Sequence, residues 1–324
     1  MYTQAKLMML VCESPLHAGT GSELDFIDNP IQRERHTNFP KIEGSSLKGA
    51  MRQRFRQVLN NPTTEDTNEI KNAFGPDNPL PNDARQGSLG FTDARLLLFP
   101  VKSAKGVFAW VTCPKILHRL QRDLQIADPQ TNLELQLNDI SDGICRVFSK
   151  ELTISKKLVL EEYAFDAKQA TDKSIARWLA NNIFPNDTFW NNCLQNQFVI
   201  LSDTDFTDFV ELTTEVITRN KIDPATGTVS NGLLFTEEYL PENSVLYALA
   251  MSHAEFANIR TNEKGEPERD RKTAKHFMDF FIKTLTKTCH NRLQIGGNAT
   301  IGKGIVRTVL HDANTKNEKN TSKI

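Results

Sequence analysis

The chain has 324 residues, 39% of them hydrophobic and 24% charged, enough for one large core or two ordinary ones. Its formal net charge of −1 excludes a protein whose whole surface grips nucleic acid, so any such contact is local. No run approaches the roughly eighteen apolar residues of a membrane span, and MYTQAKLMMLVCESP at the start lacks a small-residue cleavage site, so a cytoplasmic protein with no membrane partner is expected.

Residues 5–13 predict a first strand. Residues 14–44 are rich in Gly, Pro, Asn and Asp and predict a long irregular loop. A loop of that length inside a domain is either functional or disordered. The interleaved Phe26, Ile27, Ile31, Phe39 and Ile42 argue for order. Ser45 or Ser46 is the expected N-cap of a helix over about 46–59. Residues 60–86 are polar and proline-spotted and predict a surface insertion. A buried strand is expected over 88–99, a helix over 114–126, a loop-rich stretch over 129–150, a strand over 151–162 and a helix over 170–183. FVILSD (198–203) predicts a strand feeding a short helix, and VITRNKI (216–222) another strand. Residues 224–241 predict an extended hairpin with turn chemistry at Thr226-Gly227. A strand over 244–252, a helix over 270–290, a Gly-rich loop and a strand over 305–310 follow. The polar tail after His311 is expected to fray. Strands and helices mix without a strict βαβ repeat, so an α+β fold with a split βαβ core and several insertions fits best. One domain over 1–324 is expected, with the tail 312–324 flexible.

The five cysteines are scattered and form no CxxC pair. That argues against a disulfide framework and a zinc site, and leaves most of them as reduced core thiols. The charges, by contrast, are segregated. From Arg33 to Arg56 seven basic residues face only Glu34 and Glu43. A solvated surface helix would also show this pattern.

GGNATIGKG near the C-terminus holds a GxxxxGK string, but Gly304 stands where a P-loop needs Ser or Thr, and a strand rather than a helix follows. A nucleotide hydrolase is therefore rejected. Glycine backbone N–H groups and Lys303 could still approach phosphates. The bland alternative is a tight connection that uses glycine for positive φ.

These stretches together resemble a known family. LHAGTGSELDFIDNPIQRERHTNFPKIEGSSLKGAMR, the segment NKIDPATGTVSNGLLFTEEYLP and the loop GGNATIGKG occur in the order found in the RAMP superfamily of CRISPR effector subunits. The IQRERHT wording is similar to the Cmr (type III-B) branch rather than the Csm branch. The resemblance implies an RRM-like (ferredoxin-like) core carrying an extended thumb hairpin over about 216–241, an N-terminal catalytic loop over 14–44 and a Gly-rich loop over 296–304. It implies copies stacked along a CRISPR RNA in a helical filament with other Cmr complex subunits. Each thumb would wedge into the guide–target duplex, and target RNA would be cut beside it with a divalent metal, Mg2+ or Mn2+. The family's catalytic, metal-binding aspartate corresponds to Asp28; Asp25 is the bland exposed neighbour.

The chemistry is coherent with that implication. A wedge that splays a nucleotide lets its 2′-hydroxyl align with its own phosphate, which is catalysis by positioning. A carboxylate can then bind a metal ion or take the hydroxyl proton. Magnesium needs only one or two carboxylates beside phosphate and water oxygens. Pro30 stiffens the loop that carries Asp28. His17, Glu237, Glu238 and Tyr239 are candidate helpers. Gly296, Gly297, Gly302, Lys303 and Gly304, with Ser45, Ser46, Lys48 and Arg52 at a helix start, are candidate RNA-backbone contacts. Arg33 and Arg35 would touch RNA or a neighbouring subunit. Asn38 and Glu43 depart from the family pattern, and Glu43 puts an acid near the proposed phosphate site. A scaffold that does not cut, and a metal-independent nuclease that processes CRISPR RNA through His17, stay open.

Overall fold

Six consecutive residues, Leu7 to Cys12, are all buried. Successive side chains of a strand point to opposite faces, so a continuous buried run means that both faces of the sheet are covered. This strand, Gln4–Cys12, is the second from one end of the four-stranded core of the computed structural model. The structure describes residues 2–21, 26–59, 63–76, 86–131, 133, 135, 140–223, 225, 227–255, 260–261, 267–268 and 272–311. Asp25, Thr226, residues 60–62 and 77–85 of the expected insertion and the tail 312–324 lie outside them.

Gln4–Cys12 runs antiparallel to Val245–Ser252 on one side and to Ile305–Leu310 on the other. Val245–Ser252 pairs in turn with Ala94–Lys102. Helices Gly44–Val58 and Ala274–Lys283 fall between the first and second, and the third and fourth, of these strands. The spatial order is therefore fourth, first, third, second: the ferredoxin-like, RRM-like core that was expected. The two helices meet through Phe55 and Phe281, whose rings stack at 6.1 Å. Helices Pro114–Ala127 and Ser174–Ile183 also lie against strand Gln4–Cys12. Between the second and third core strands, the chain extends the sheet through Phe108–Thr112, Phe198–Ile200, Ile144–Val147 and Tyr163–Gln169. It then builds a separate hairpin, Glu215–Ile222 against Val229–Tyr239. No helix among the described residues is long and apolar enough to cross a membrane.

Several boundaries differ from expectation for local reasons. Ser45 and Ser46 do not cap their helix. It starts at Gly44 with Glu43 as N-cap, because the Asp93 carboxylate accepts the Gly44 N–H at 2.9 Å. The insertion after Asn60 contains a helix, Thr64–Phe74, closed by a Thr63/Asp66 capping box and anchored by buried Ile70, Ala73 and Phe74. The strand expected over 88–99 is two, Leu89–Phe91 and Ala94–Lys102. The one over 151–162 is a small hairpin turning at Ser155 and Lys156, both at positive φ, followed by Tyr163–Gln169. Helix Thr188–Gln197 and strand Phe108–Thr112 are additional to the expected set. The helix over 270–290 runs as Ala274–Lys283 and ends in a π-helical turn, Thr284–Thr288.

Candidate functional site

The residues before and after Pro30 lie along the returning strand of the hairpin. Asn29 bridges Glu237 in parallel register: its N–H donates to the Thr236 carbonyl at 3.0 Å, and its carbonyl accepts the Glu238 N–H at 3.0 Å. This docking fixes Asp28. Its Oδ2 accepts the Thr236 backbone N–H at 2.7 Å and the Thr236 hydroxyl at 2.9 Å, while its own N–H donates to that hydroxyl at 3.0 Å. The carboxylate is solvent-exposed, and the backbone and hydroxyl bonds from Thr236 lower its pKa. Both Thr236 donors reach Oδ2, and among the described residues no other residue donates to Oδ1.

Glu237 and Tyr239 share one face of the strand. Glu237 Oε2 accepts the Tyr239 hydroxyl at 2.7 Å and Arg219 Nε at 3.0 Å, and Arg219 Nη2 donates to Tyr239 Oη at 2.8 Å. Asn298 of the Gly-rich loop donates to Tyr239 Oη at 2.9 Å and to both Glu237 oxygens at 3.2 Å. Lys303 Nζ stands 5.0 Å above the Tyr239 ring, a cation–π arrangement. Burial alone would raise the Glu237 pKa; the bonds from Tyr239, Asn298 and Arg219 outweigh it and hold the carboxyl below its ordinary value. The His17 ring sits 5.6 Å from Tyr239, and its Nδ1 bonds the Glu238 carbonyl at 2.7 Å. A carbonyl only accepts, so Nδ1 donates to it, and Nε2 is the ring nitrogen that bears the lone pair in the matching neutral tautomer.

The Gly-rich loop docks on the same N-terminal segment. Gly297 N–H donates to the His17 carbonyl at 2.9 Å, and Gly304 N–H to the Pro15 carbonyl at 2.9 Å. A Cβ at Gly296, φ +79, would lie 2.2 Å from the His17 carbonyl oxygen. A Cβ at Gly302, φ +77, would meet nothing within 4 Å. The structure therefore brings His17, Glu237, Tyr239, Gly296, Gly297 and Lys303 together, while Asp28 is bound to Thr236, the preceding residue of the strand, whose side chain alternates to the other face.

Other candidates sit elsewhere. Glu238 is 2% exposed and points away from Glu237. It accepts from Arg33, from the Thr214 hydroxyl at 2.8 Å and from the Ile31 N–H at 3.0 Å. Arg33 turns inward and also donates to the Asn38 and Val210 carbonyls. Arg35 is exposed. Lys48 Nζ donates to the Leu89 carbonyl at 2.9 Å, and burial, with Arg52 nearby, lowers its pKa. Lys41 pairs with Glu43 and Asp93, so the acid at Glu43 is neutralised within the chain. Ser45 is exposed. Ser46, Arg54, Arg292 and Gly296 line a groove of about 540 Å3 between the helix Gly44–Val58 and the sheet edge.

Sequence reasoning missed Thr236, Arg219 and Asn298. Asn298 carried a local signal, since Asn tolerates the left-handed conformation it adopts at φ +63. Arg219 is placed by hairpin register: Glu237 lies opposite Ile217, two residues away.

No group of three or more His, Cys, Asp or Glu that could hold a metal occurs among the described residues. Asp28 alone, exposed with one oxygen open, fits an ion completed by phosphate and water oxygens.

The chain matches the RAMP superfamily over residues 9–307. It is 35% identical over 312 residues to the CRISPR system Cmr endoribonuclease Cmr4 of Pyrococcus furiosus, spanning 95% of this chain and 96% of that one. The crystal structure of oligomeric Cmr4 from Pyrococcus furiosus superposes with a TM-score of 0.68 at 30% identity, covering 95% of this chain and 97% of that one. A chain of the type III-B Cmr-beta cryo-EM structure bound to cognate target RNA gives 0.69 at 20% identity, covering 95% and 98%, a likeness of fold alone. With the four-stranded core, the Gly-rich loop and the hairpin all in place, the chain belongs to the RAMP superfamily, in its Cmr branch.

Proposed function

We propose that this chain is a backbone subunit of a type III-B (Cmr) effector complex, which holds CRISPR RNA and cuts complementary target RNA at regular intervals. Its partners are further copies of itself, other Cmr subunits, the guide and the target. The near-full-length likeness to a Cmr endoribonuclease supports the activity, and the likeness to an oligomeric relative supports the self-assembly. The observation that carries the reading is the solvent-facing carboxylate of Asp28, pinned at the base of an exposed hairpin.

The residues divide the work by position. The groove between Ser46 and Gly296 takes the guide backbone through shape and cationic side chains, without reading bases; base pairing reads the sequence. The hairpin projects Leu234 and Phe235, both exposed apolar residues, next to Thr236. These splay the target nucleotide beside Asp28. The 2′-hydroxyl gives its proton to water, O2′ bonds to phosphorus, the P–O5′ bond breaks, and O5′ takes a proton from water, so the open Asp28 oxygen stays free to hold a metal. The products are a 2′,3′-cyclic phosphate and a 5′-hydroxyl. Mg2+ or Mn2+ held by Asp28 would supply positive charge to the phosphate. Lys303 adds positive charge at the hairpin base, where the Arg219 charge is matched by Glu237.

The His17 tautomer favours a second reading. An Nε2 lone pair could serve as the base, and cleavage would then need no metal. The reconstituted complex with its guide and a labelled complementary RNA separates the two. A ladder of evenly spaced cuts that EDTA and Asp28→Ala both abolish, with target binding intact, is the expected result. Cuts that survive EDTA but not His17→Ala would establish the second reading, and binding without any cut would leave a scaffold.

A further inference from the structure

We infer that Thr236 is a positioning residue for cleavage, its hydroxyl clamping Asp28 so that one carboxylate oxygen is held and the other is left open for chemistry. The inference rests on Asp28 being the cutting residue. One hydroxyl makes both side-chain bonds of the clamp: it donates its proton to Asp28 Oδ2 at 2.9 Å and accepts the Asp28 N–H at 3.0 Å. The Asp28 main chain and carboxylate are thereby fixed to the same atom. An exposed aspartate without such a clamp samples several rotamers, and the conformational entropy lost on ordering it would fall on the reaction step. A clamp formed before RNA arrives removes that cost, and it holds a single oxygen in direction as well as place.

The clamp is separable from the fold. The segment around Asp28 is also docked by bonds that need no Thr236 side chain: Thr236 N–H to Asp28 Oδ2, Asn29 N–H to the Thr236 carbonyl, and Glu238 N–H to the Asn29 carbonyl. Ile31 N–H is held by the buried Glu238 carboxylate. Thr236 itself pairs across the hairpin with Thr218 and is only partly buried. Valine keeps the β-branched shape that suits a strand and removes the hydroxyl alone. Serine keeps the hydroxyl and removes the methyl.

The test uses the assembled complex with its guide, comparing wild type, Thr236→Val, Thr236→Ser and Asp28→Ala. Target affinity is measured in EDTA, and the single-turnover cutting rate is measured in magnesium with complex in excess. Thr236→Val should cut about 10- to 100-fold more slowly, the scale expected for a misaligned reacting group. Its target affinity should stay at the wild-type value, and Thr236→Ser should recover most of the rate. Wild-type cutting by Thr236→Val would overturn the inference. So would a Thr236→Ser as slow as Thr236→Val, or a loss of target affinity that accounts for the lost rate, because each assigns the residue a structural part only. Full cutting by Asp28→Ala would instead bring down the underlying reading of Asp28, and the inference with it. An inactive Asp28→Ala beside a wild-type Thr236→Val would sink the Thr236 inference alone.

Discussion

Asn298 spans the gap between two elements far apart in the chain: its amide nitrogen lies 2.9 Å from Tyr239 Oη and 3.2 Å from each Glu237 carboxylate oxygen. The Gly-rich loop and the hairpin base are thus joined through one side chain. Hydrogen bonds to charged groups contribute about 1.5–3 kcal/mol each, so Asn298→Ala should loosen this junction locally. Amide hydrogen exchange should rise over 296–304 and 237–239, while Leu7–Cys12 and Val245–Ser252 stay protected.

Glu238 and Arg33 should act on stability. Their side chains are 3% and 16% exposed, and Glu238 also takes donors from Thr214 and Ile31. Removing one partner leaves the other charge buried and unpaired. Glu238→Ala is expected to lower the unfolding free energy by about 3–5 kcal/mol, measured by urea denaturation of the isolated subunit. Exposed Arg35→Ala should stay within about 0.5 kcal/mol of wild type.

Two glycines of one loop should respond differently to alanine. Both have positive φ, which alone costs an L-residue about 1–2 kcal/mol. Only at Gly296 would the new Cβ run into backbone, the His17 carbonyl oxygen at 2.2 Å. Gly296→Ala should therefore shift the His17 segment and melt well below Gly302→Ala in a thermal scan.

Glu34 predicts a specific acid sensitivity. Burial would raise its pKa, but the Thr37 hydroxyl at 2.6 Å and Arg119 at 2.8 Å outweigh burial and hold it below the ordinary 4.5. The folded state therefore binds this proton less readily than the unfolded chain. The stabilisation is fully present above about 4.5, the unfolded value, and is lost as pH falls through the lower folded value. Unfolding free energy followed from neutral pH downward should fall below that point in wild type, and fall less steeply in Glu34→Gln.

The core was legible because its strands are buried on both faces and stand out as unbroken apolar runs, LMMLVC and VLYALA. Helix Thr188–Gln197 was not, since Leu194 is its one fully buried residue and TFWNNCLQNQ shows no apolar stripe. Phe108–Thr112 is a five-residue strand of four apolar residues and a threonine, too short for periodicity to classify. In the site, Asp28, His17, Glu237 and Tyr239 were named through the family resemblance. Their partners were hidden because they come from register and docking: Arg219 from the hairpin pairing, Thr236 from a segment about 200 positions earlier folding against it. The inward turns of Lys48, Arg33 and Glu238 were hidden for the same reason, as charge in a sequence carries no direction.

The burial of Leu7 to Cys12 on both faces has a consequence for how this molecule meets RNA. Many RRM-like proteins read bases by stacking them on aromatic side chains of an open sheet. Here no such platform is available on that strand. Under the proposed function, RNA would meet rims and loops instead of this strand, and there it offers repeating phosphates and sugars. One gene product would then serve guides of any sequence, because no base-reading surface on that strand would have to change with them.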